Sequence, residues 1–252
     1  MNSKGINGTV LKIIAAVSMI IDHYAASGLL KQFSPGGLFG MNCKSTYILF
    51  RGIGRLAFPI FCFLIIEGVR YTKNWKLYAL RLLIFAALTE VPFDRLFSVD
   101  GSFFDWTYQN VLFTLLLGML CAAFLRFYDG PSRYMIYATL VITAAMTAET
   151  FLLSDYGASG VAMIGVMGYL LDDKPEWAKI PDRAWTVFVC AAAIGTCCLV
   201  QMNVLELPAL FALIPISLYN GERGLGGRAA KYIFYSVYPL HLLIFCFLLN
   251  RG

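Results

Sequence analysis

Charge is what this sequence has least of. Only 14% of its 252 residues are Asp, Glu, Lys or Arg, against about 25% in an ordinary soluble domain. That deficit leaves too little polar surface for a water-facing globule. Histidine is scarcer still, with two residues in the whole chain, His23 and His241. Prolines number only 9, and together with 15% aromatic residues this argues against a disordered or fibrous chain. Paired-cysteine motifs are missing. Cysteines number seven, an odd count, and Cys62, Cys121, Cys190, Cys197, Cys198 and Cys246 lie inside apolar runs. With no C-x-x-C pair and no nearby His, they read as small buried hydrophobes, not as a zinc site or a disulfide frame. Cys43 alone falls in a polar loop and is given no role. No H-x-x-x-H or H-E-x-x-H spacing occurs, so no metal is expected. G-x-S-x-G, P-loop and dinucleotide-type Gly patterns are absent too, which removes the usual signatures of a nucleophile elbow or a nucleotide cradle.

What is present is apolar: 59% hydrophobic residues and a mean hydropathy of +0.70. The class left is a polytopic, all-α membrane protein. The formal net charge of +5 is not a nucleic-acid signal, because Lys and Arg are spread through short loops with no basic stripe interleaved with aromatics. Apolar runs give about nine transmembrane helices. They cover Thr9 to Leu29, Tyr47 to Val69, Trp75 to Phe97, Asn110 to Tyr128, Arg133 to Leu153, Gly157 to Leu171, Trp185 to Val200, Val204 to Tyr219 and Lys231 to Leu249. No internal repeat or boundary appears, so 1–252 reads as a single domain bathed in membrane lipid, with no room for a soluble module.

Orientation follows from the loops. With a cytoplasmic amino terminus, Lys4, Lys12, Arg70, Lys73, Lys76, Arg81, Arg126, Arg133, Lys174, Lys179, Arg183, Arg223, Arg228 and Lys231 fall inside. Only Lys31, Lys44, Arg51, Arg55, Arg95 and Arg251 fall outside. The expected location is the cell (inner) membrane, as a multi-pass protein. A cleaved signal peptide would explain Lys4, Lys12 and Ala25-Ala26-Ser27, but the Asp22-His23 pair fits it poorly and the later spans continue the alternation.

Ionisable residues inside spans cost about 2.5 to 3.5 kcal/mol each, so each invites a search for a partner or a task. Asp22 and His23 lie near the outer end of the first span, and Arg51 and Arg55 occupy the first turns of the second, on one helical face. Glu90 and Asp94 flank Pro92 near the outer end of the third. Asn110, Glu149, the Asp155-Tyr156-Gly157 turn and His241 fall on the same side. The bland reading is that Arg51, Arg55, Glu90 and Asp94 form ion pairs that fix helix register. The sharper one is a catalytic cavity, in which an imidazole takes a proton and a carboxylate orients it. Asp22 is next to His23, but successive helical residues point about 100° apart. The orienting carboxylate could equally be Glu90, Asp94 or Glu149. At the inner side, Asn220-Gly221-Glu222-Arg223-Gly224 with Gly226, Gly227, Arg228 and Lys231 makes a basic Gly-rich loop. It reads either as a positive-inside turn or as a holder of phosphates through backbone amides and basic side chains.

Together these strings resemble the TraX family of membrane proteins, which includes the conjugative pilin acetylase. The resemblance runs along almost the whole chain. It rests on Leu11-Lys12-Ile13-Ile14 leading to Ile21-Asp22-His23, on Gly54-Arg55-Leu56-Ala57-Phe58-Pro59-Ile60-Phe61 leading to Glu67-Gly68, and on Arg81-Leu82 leading to Glu90-Val91-Pro92-Phe93-Asp94. It continues with Asn110-Val111 to Thr114, Asp155-Tyr156-Gly157, Tyr219-Asn220-Gly221-Glu222-Arg223-Gly224 and Tyr238-Pro239-Leu240-His241. It implies an acetyl-CoA-dependent membrane acetyltransferase acting on the N-terminal amine of a pilin-like peptide. The wider membrane acyltransferases are similar in plan, with a basic residue about eleven positions before an outer His. Lys12 and His23 stand in that relation, about 16 Å apart along a helix, a span suited to a pantetheine arm. On this reading His23, His241 and Asp22 are catalytic. Arg51, Arg55, Glu90, Asp94, Asn110, Glu149 and Asp155 meet the acceptor, and Lys12, Arg81, Arg223 and Lys231 hold acetyl-CoA. O-acetylation of an envelope glycan is the alternative within the class. A proton-coupled transporter and an inactive assembly scaffold are the alternatives outside it, and the transporter is disfavoured by the lack of matching broken helices in two halves.

Overall fold

The computed structural model describes residues 5–99, 101–127, 135–172, 174, 178–225 and 227–249, excepting the side chains of 228–231. Lys4, Arg133 and Arg251 of the orientation argument, Gly226 of the basic loop, and the side chains of Arg228 and Lys231 lie outside the described residues. The described residues are 78% helix, with no strand among them. A bilayer interior demands this, because backbone groups that cannot reach water must bond within their own segment.

In chain order the helices are α1 (Gly8–Ala26), α2 (Leu29–Phe33), α3 (Cys43–Gly54), α4 (Ala57–Tyr71), α5 (Trp75–Phe97), α6 (Val111–Phe127), α7 (Met135–Leu152), α8 (Gly157–Asp172) and α9 (Asp182–Gln201). A 3-10 helix (Val204–Ala212), α10 (Leu213–Ser217) and α11 (Arg228–Leu249) complete them. Five segments of the described chain are long and apolar enough to cross a membrane: Gly8–Ala26, Cys43–Tyr71, Met135–Leu152, Asp182–Gln201 and Tyr232–Leu249. Val111–Phe127, Gly157–Asp172 and Val204–Ser217 are shorter apolar helices. This is a polytopic helical membrane protein.

Asparagine starts many of these helices. The side chains of Asn7, Asn42 and Asn203 accept the first free amides of α1, α3 and the 3-10 helix. Asn74 does the same for Leu77 in α5, and Asn110 for Leu112 in α6. A short amide side chain satisfies donors that the helix itself leaves orphaned.

Two expected spans differ from the observed elements. The second is two helices that meet in a tightened turn at Arg55 and Leu56, and α3 begins at Cys43 under its Asn42 cap, earlier than hydropathy alone indicates. Arg51 and Arg55 therefore sit at the end of a helix and not in first turns, where their charge complements the carbonyl end of the α3 dipole. The eighth is a nine-residue 3-10 helix running into α10, with Pro208 and Pro215 denying the backbone two α-helical donors.

The chain packs as two compact units. The first comprises Met1–Ile60, Ala87–Asp105 and Asn203–Gly252, and in it α1 packs on α3, α2 and α11, while α3 packs on the 3-10 helix. The second comprises Phe61–Ala86 and Trp106–Met202, and in it α8 is central, touching α6, α7 and α9. Small residues allow this approach: a side chain at Gly118 would run into Ile164, and one at Gly168 would come within 3.1 Å of Ala122. The second unit is also tied by charge. Arg70 bonds Glu67 and Asp172 at 2.9 Å each, and Arg126 reaches the same Asp172 at 2.8 Å, linking α4, α6 and α8.

Candidate active site

In the first unit the two histidines meet. His23 from α1 and His241 from α11 are joined through His23 Nδ1 and His241 Nε2 at 2.7 Å. Their rings lie within 15° of parallel with centroids 5.0 Å apart, the separation of rings joined edge to edge in a common plane. His241 is buried, and its Nδ1 lies 2.8 Å from the Val237 carbonyl one turn earlier. Aromatic rings enclose the pair. Phe97 stands edge-on to His23 at 5.5 Å, Tyr238 lies 5.6 Å from each imidazole, and Phe245 is edge-on to His241. The partner given to His23 is thus the other histidine, a contact across 218 residues.

Both arginines approach the same place, within electrostatic range of His23. Arg51 pairs with Asp22 at 2.5 Å, and Arg55 pairs with Glu206 of the 3-10 helix at 3.2 Å. Asp22 therefore serves as the counter-charge of Arg51, on a different face of α1 from the one His23 presents. Glu206, buried at 5% exposure, was not among the residues singled out from the sequence. Its signal was present, a lone carboxylate in the apolar run after Asn203.

Glu90 and Asp94 lie one turn apart on α5, and Asp94 Oδ2 accepts the amide of Asp105 at 2.8 Å. Together with Phe97 they form a stripe at positions i, i+4 and i+7 of α5, and Phe97 is its contact with His23. Arg95 turns away to the Gly101 carbonyl and the Phe103 ring.

At the other end of α1 the Gly-rich loop is stitched to the start of the helix. Ile6 bridges to Tyr219, Gly8 donates to the Glu222 carbonyl at 2.7 Å, and Leu225 donates to Thr9 Oγ1 at 2.7 Å. The Glu222 amide is taken by Asn220 Oδ1. The basic side chains near this loop include Arg223, exposed, and Lys12, whose ammonium lies 5.4 Å from the Phe234 ring. Lys231 starts in α11 with its side chain outside the description, and Arg81 lies on α5 in the second unit.

The other three expected acceptor residues gather in the second unit. Glu149 is 1% exposed, and its Oε1 accepts the Ser154 amide at 3.0 Å and hydroxyl at 2.5 Å. Its Oε2 is buried with no hydrogen-bond partner among the described residues. Ser154 continues to Thr114, while Asp155 accepts from Tyr108 at 2.7 Å. Asn110 is occupied at both ends, its oxygen capping α6 and its nitrogen donating to the Ala86 carbonyl at 3.0 Å. Leu153 and Tyr156 hold left-handed backbone conformations on either side of Ser154 and Asp155, strain that bulky residues rarely carry. Among the described residues, no group of three or more His, Cys, Asp or Glu side chains has the grouping of a metal site.

Fold and site together define a membrane protein that gathers ionisable groups in a helical interior. Residues 7–249 match the family described as TraX protein, and the chain belongs to that family. It is similar to the probable fimbrial assembly protein FimC, serogroup H1, of Dichelobacter nodosus, at 30% identity over 94% of this chain and 93% of that protein. No solved structure matches the chain.

Proposed function

We propose that this protein is an acetyltransferase of the inner membrane, with its amino terminus in the cytoplasm. On this reading it moves the acetyl group of cytosolic acetyl-CoA to the N-terminal amine of a pilin-like peptide reached from the outer side. The observation that carries the reading is the His23 and His241 pair, held at 2.7 Å in an aromatic enclosure with Arg51 and Arg55 beside it. Family membership and a relative named for fimbrial assembly support a peptide acceptor.

Each group then has a task. Lys12 and Arg223, at the start of α1, meet the donor's phosphates, and the pantetheine arm runs the length of α1 to His23, about 16 Å. His23 removes the proton of the attacking amine. Arg51 and Arg55, already balanced by Asp22 and Glu206, act as fixed N–H donors to the oxyanion on the thioester carbon. Glu90 and Asp94 attract an ammonium in the first unit, and in the second unit Glu149 offers a carboxylate whose surroundings Asn110 and Asp155 shape.

Mass spectrometry of surface peptides and of envelope glycans, from cells with and without the protein, tests reaction and acceptor together. The acetyl increment is expected on a peptide amino terminus. Its appearance on glycan alone would move the assignment to O-acetylation, and its absence from both would reject acetyl transfer. The variant His23→Ala should insert normally and lose transfer from labelled acetyl-CoA by at least about 10²-fold.

A further inference from the structure

The hydrogen bonds around the two histidines run in one direction only. A backbone carbonyl has no proton to give, so His241 Nδ1 is the donor in its 2.8 Å bond to Val237. A neutral imidazole carries a single N–H, which leaves His241 Nε2 as a bare lone pair. That lone pair faces His23 Nδ1 at 2.7 Å, so the proton between the rings belongs to His23. The edge-to-edge, near-coplanar rings aim this N–H along the lone-pair axis. His23 Nε2 is then unprotonated, and it makes no hydrogen bond among the described residues.

We infer that His241 is a positioning residue that holds His23 in its Nδ1–H tautomer, anchored through the Val237 carbonyl, so that His23 Nε2 is the atom that takes the acceptor's proton. The pair is therefore unequal. One ring is the base, and the other has both nitrogens committed and cannot act as a second base. This deepens the acetyltransferase reading and rests on it for its kinetic consequence, while the tautomer itself stands on geometry alone. In the transfer, the acceptor nitrogen forms a bond to the acyl carbon of the thioester and gives its proton to His23 Nε2. The carbon–sulfur bond then breaks, and the proton passes from His23 to the departing thiolate, giving a free thiol. While His23 is doubly protonated, its Nδ1–H still points at His241 Nε2, which stabilises the cation as an orienting partner does in a catalytic triad.

Two histidines in 252 residues make the test direct. Protein labelled with 15N in histidine alone, in detergent at mildly alkaline pH, reports through two-bond nitrogen–proton correlations which ring nitrogen carries hydrogen. Both rings are expected as Nδ1–H. His241→Gln assigns the His23 signals and places an amide oxygen where Nε2 stood, so His23 should remain Nδ1–H. His241→Leu removes the acceptor at similar volume, and His23 should pass largely to the Nε2–H form that free imidazole side chains favour. In acetyl transfer, His241→Leu should lower kcat by about 10- to 100-fold with KM for the donor unchanged, and His241→Gln should recover most of the loss. A native His23 found as Nε2–H would overturn the inference, as would Gln and Leu variants of equal turnover. Turnover that survives His23→Ala would overturn His23 Nε2 as the base, whereas native protein that shows the expected tautomers but no acetyl transfer would reject the acetyl-transfer reading and leave the tautomer assignment intact.

Discussion

Arg51 shows how single residues make this site tolerable inside a membrane. Its guanidinium and the Asp22 carboxylate are 20% and 15% exposed, so each is mostly removed from water and each depends on the other. Removing one partner leaves a buried charge, which costs more than the pair contributes. Asp22→Asn should therefore lower stability in detergent by about 2 kcal/mol, read as a fall in thermal midpoint, and the double variant Asp22→Asn with Arg51→Met should regain much of it. Equal stability of the single and double variants would mean that the pair does not couple. The sequence already exposed Asp22, His23, Arg51 and Arg55 as costly groups in apolar surroundings. Their pairing was not legible. Helical periodicity says which residues of one helix share a face, and nothing in it joins His23 to His241 or Arg55 to Glu206, which come from remote parts of the chain.

Helix positions were more legible than helix breaks. The third span matches α5 from Trp75 to Phe97, Pro92 included, and the fourth, sixth and ninth fall within a few residues of α6, α8 and α11. Long apolar runs between polar turns determine these. The break inside the second span and the 3-10 start of the eighth escaped because hydropathy does not register a change in hydrogen-bond pattern within an apolar run. Arg55 and Leu56 interrupt the second, and Pro208 and Pro215 tighten the eighth. Close approaches occur at Gly54, Gly118, Gly165 and Gly168, whereas Gly52 makes only an ordinary contact with Pro208 at 3.5 Å. Gly118→Leu would drive a branched side chain into Ile164 across the α6 and α8 seam. A loss of about 1 to 3 kcal/mol is expected, visible as reduced yield of folded protein after solubilisation. Gly52→Ala, by contrast, should leave the yield close to that of the unsubstituted protein.

At the scale of the molecule, the inside-positive bias of the loops sets one prediction apart from chemistry. Cys43 opens α3 and is partly exposed, while Cys62, Cys121, Cys190, Cys197 and Cys198 are buried and Cys246 lies within α11. With a cytoplasmic amino terminus, Cys43 lies outside. A membrane-impermeant maleimide should label Cys43 in cells with an opened outer envelope and an intact inner membrane, and Cys43→Ser should abolish that labelling. Labelling that appears only after the inner membrane is permeabilised would reverse the orientation. The meeting of α1 and α11 has a further consequence, for biogenesis. Helices enter the bilayer in the order they are synthesised, so His23 is in place long before His241 exists, and Ile6 waits for Tyr219 to close the loop over the start of α1. A translation product halted ahead of α11 lacks His241, Tyr238 and Phe245, so His23 has neither its hydrogen-bond partner nor a complete enclosure. The histidine pair is complete only once α11 is made, and a half-made chain in the membrane carries the first imidazole without the second.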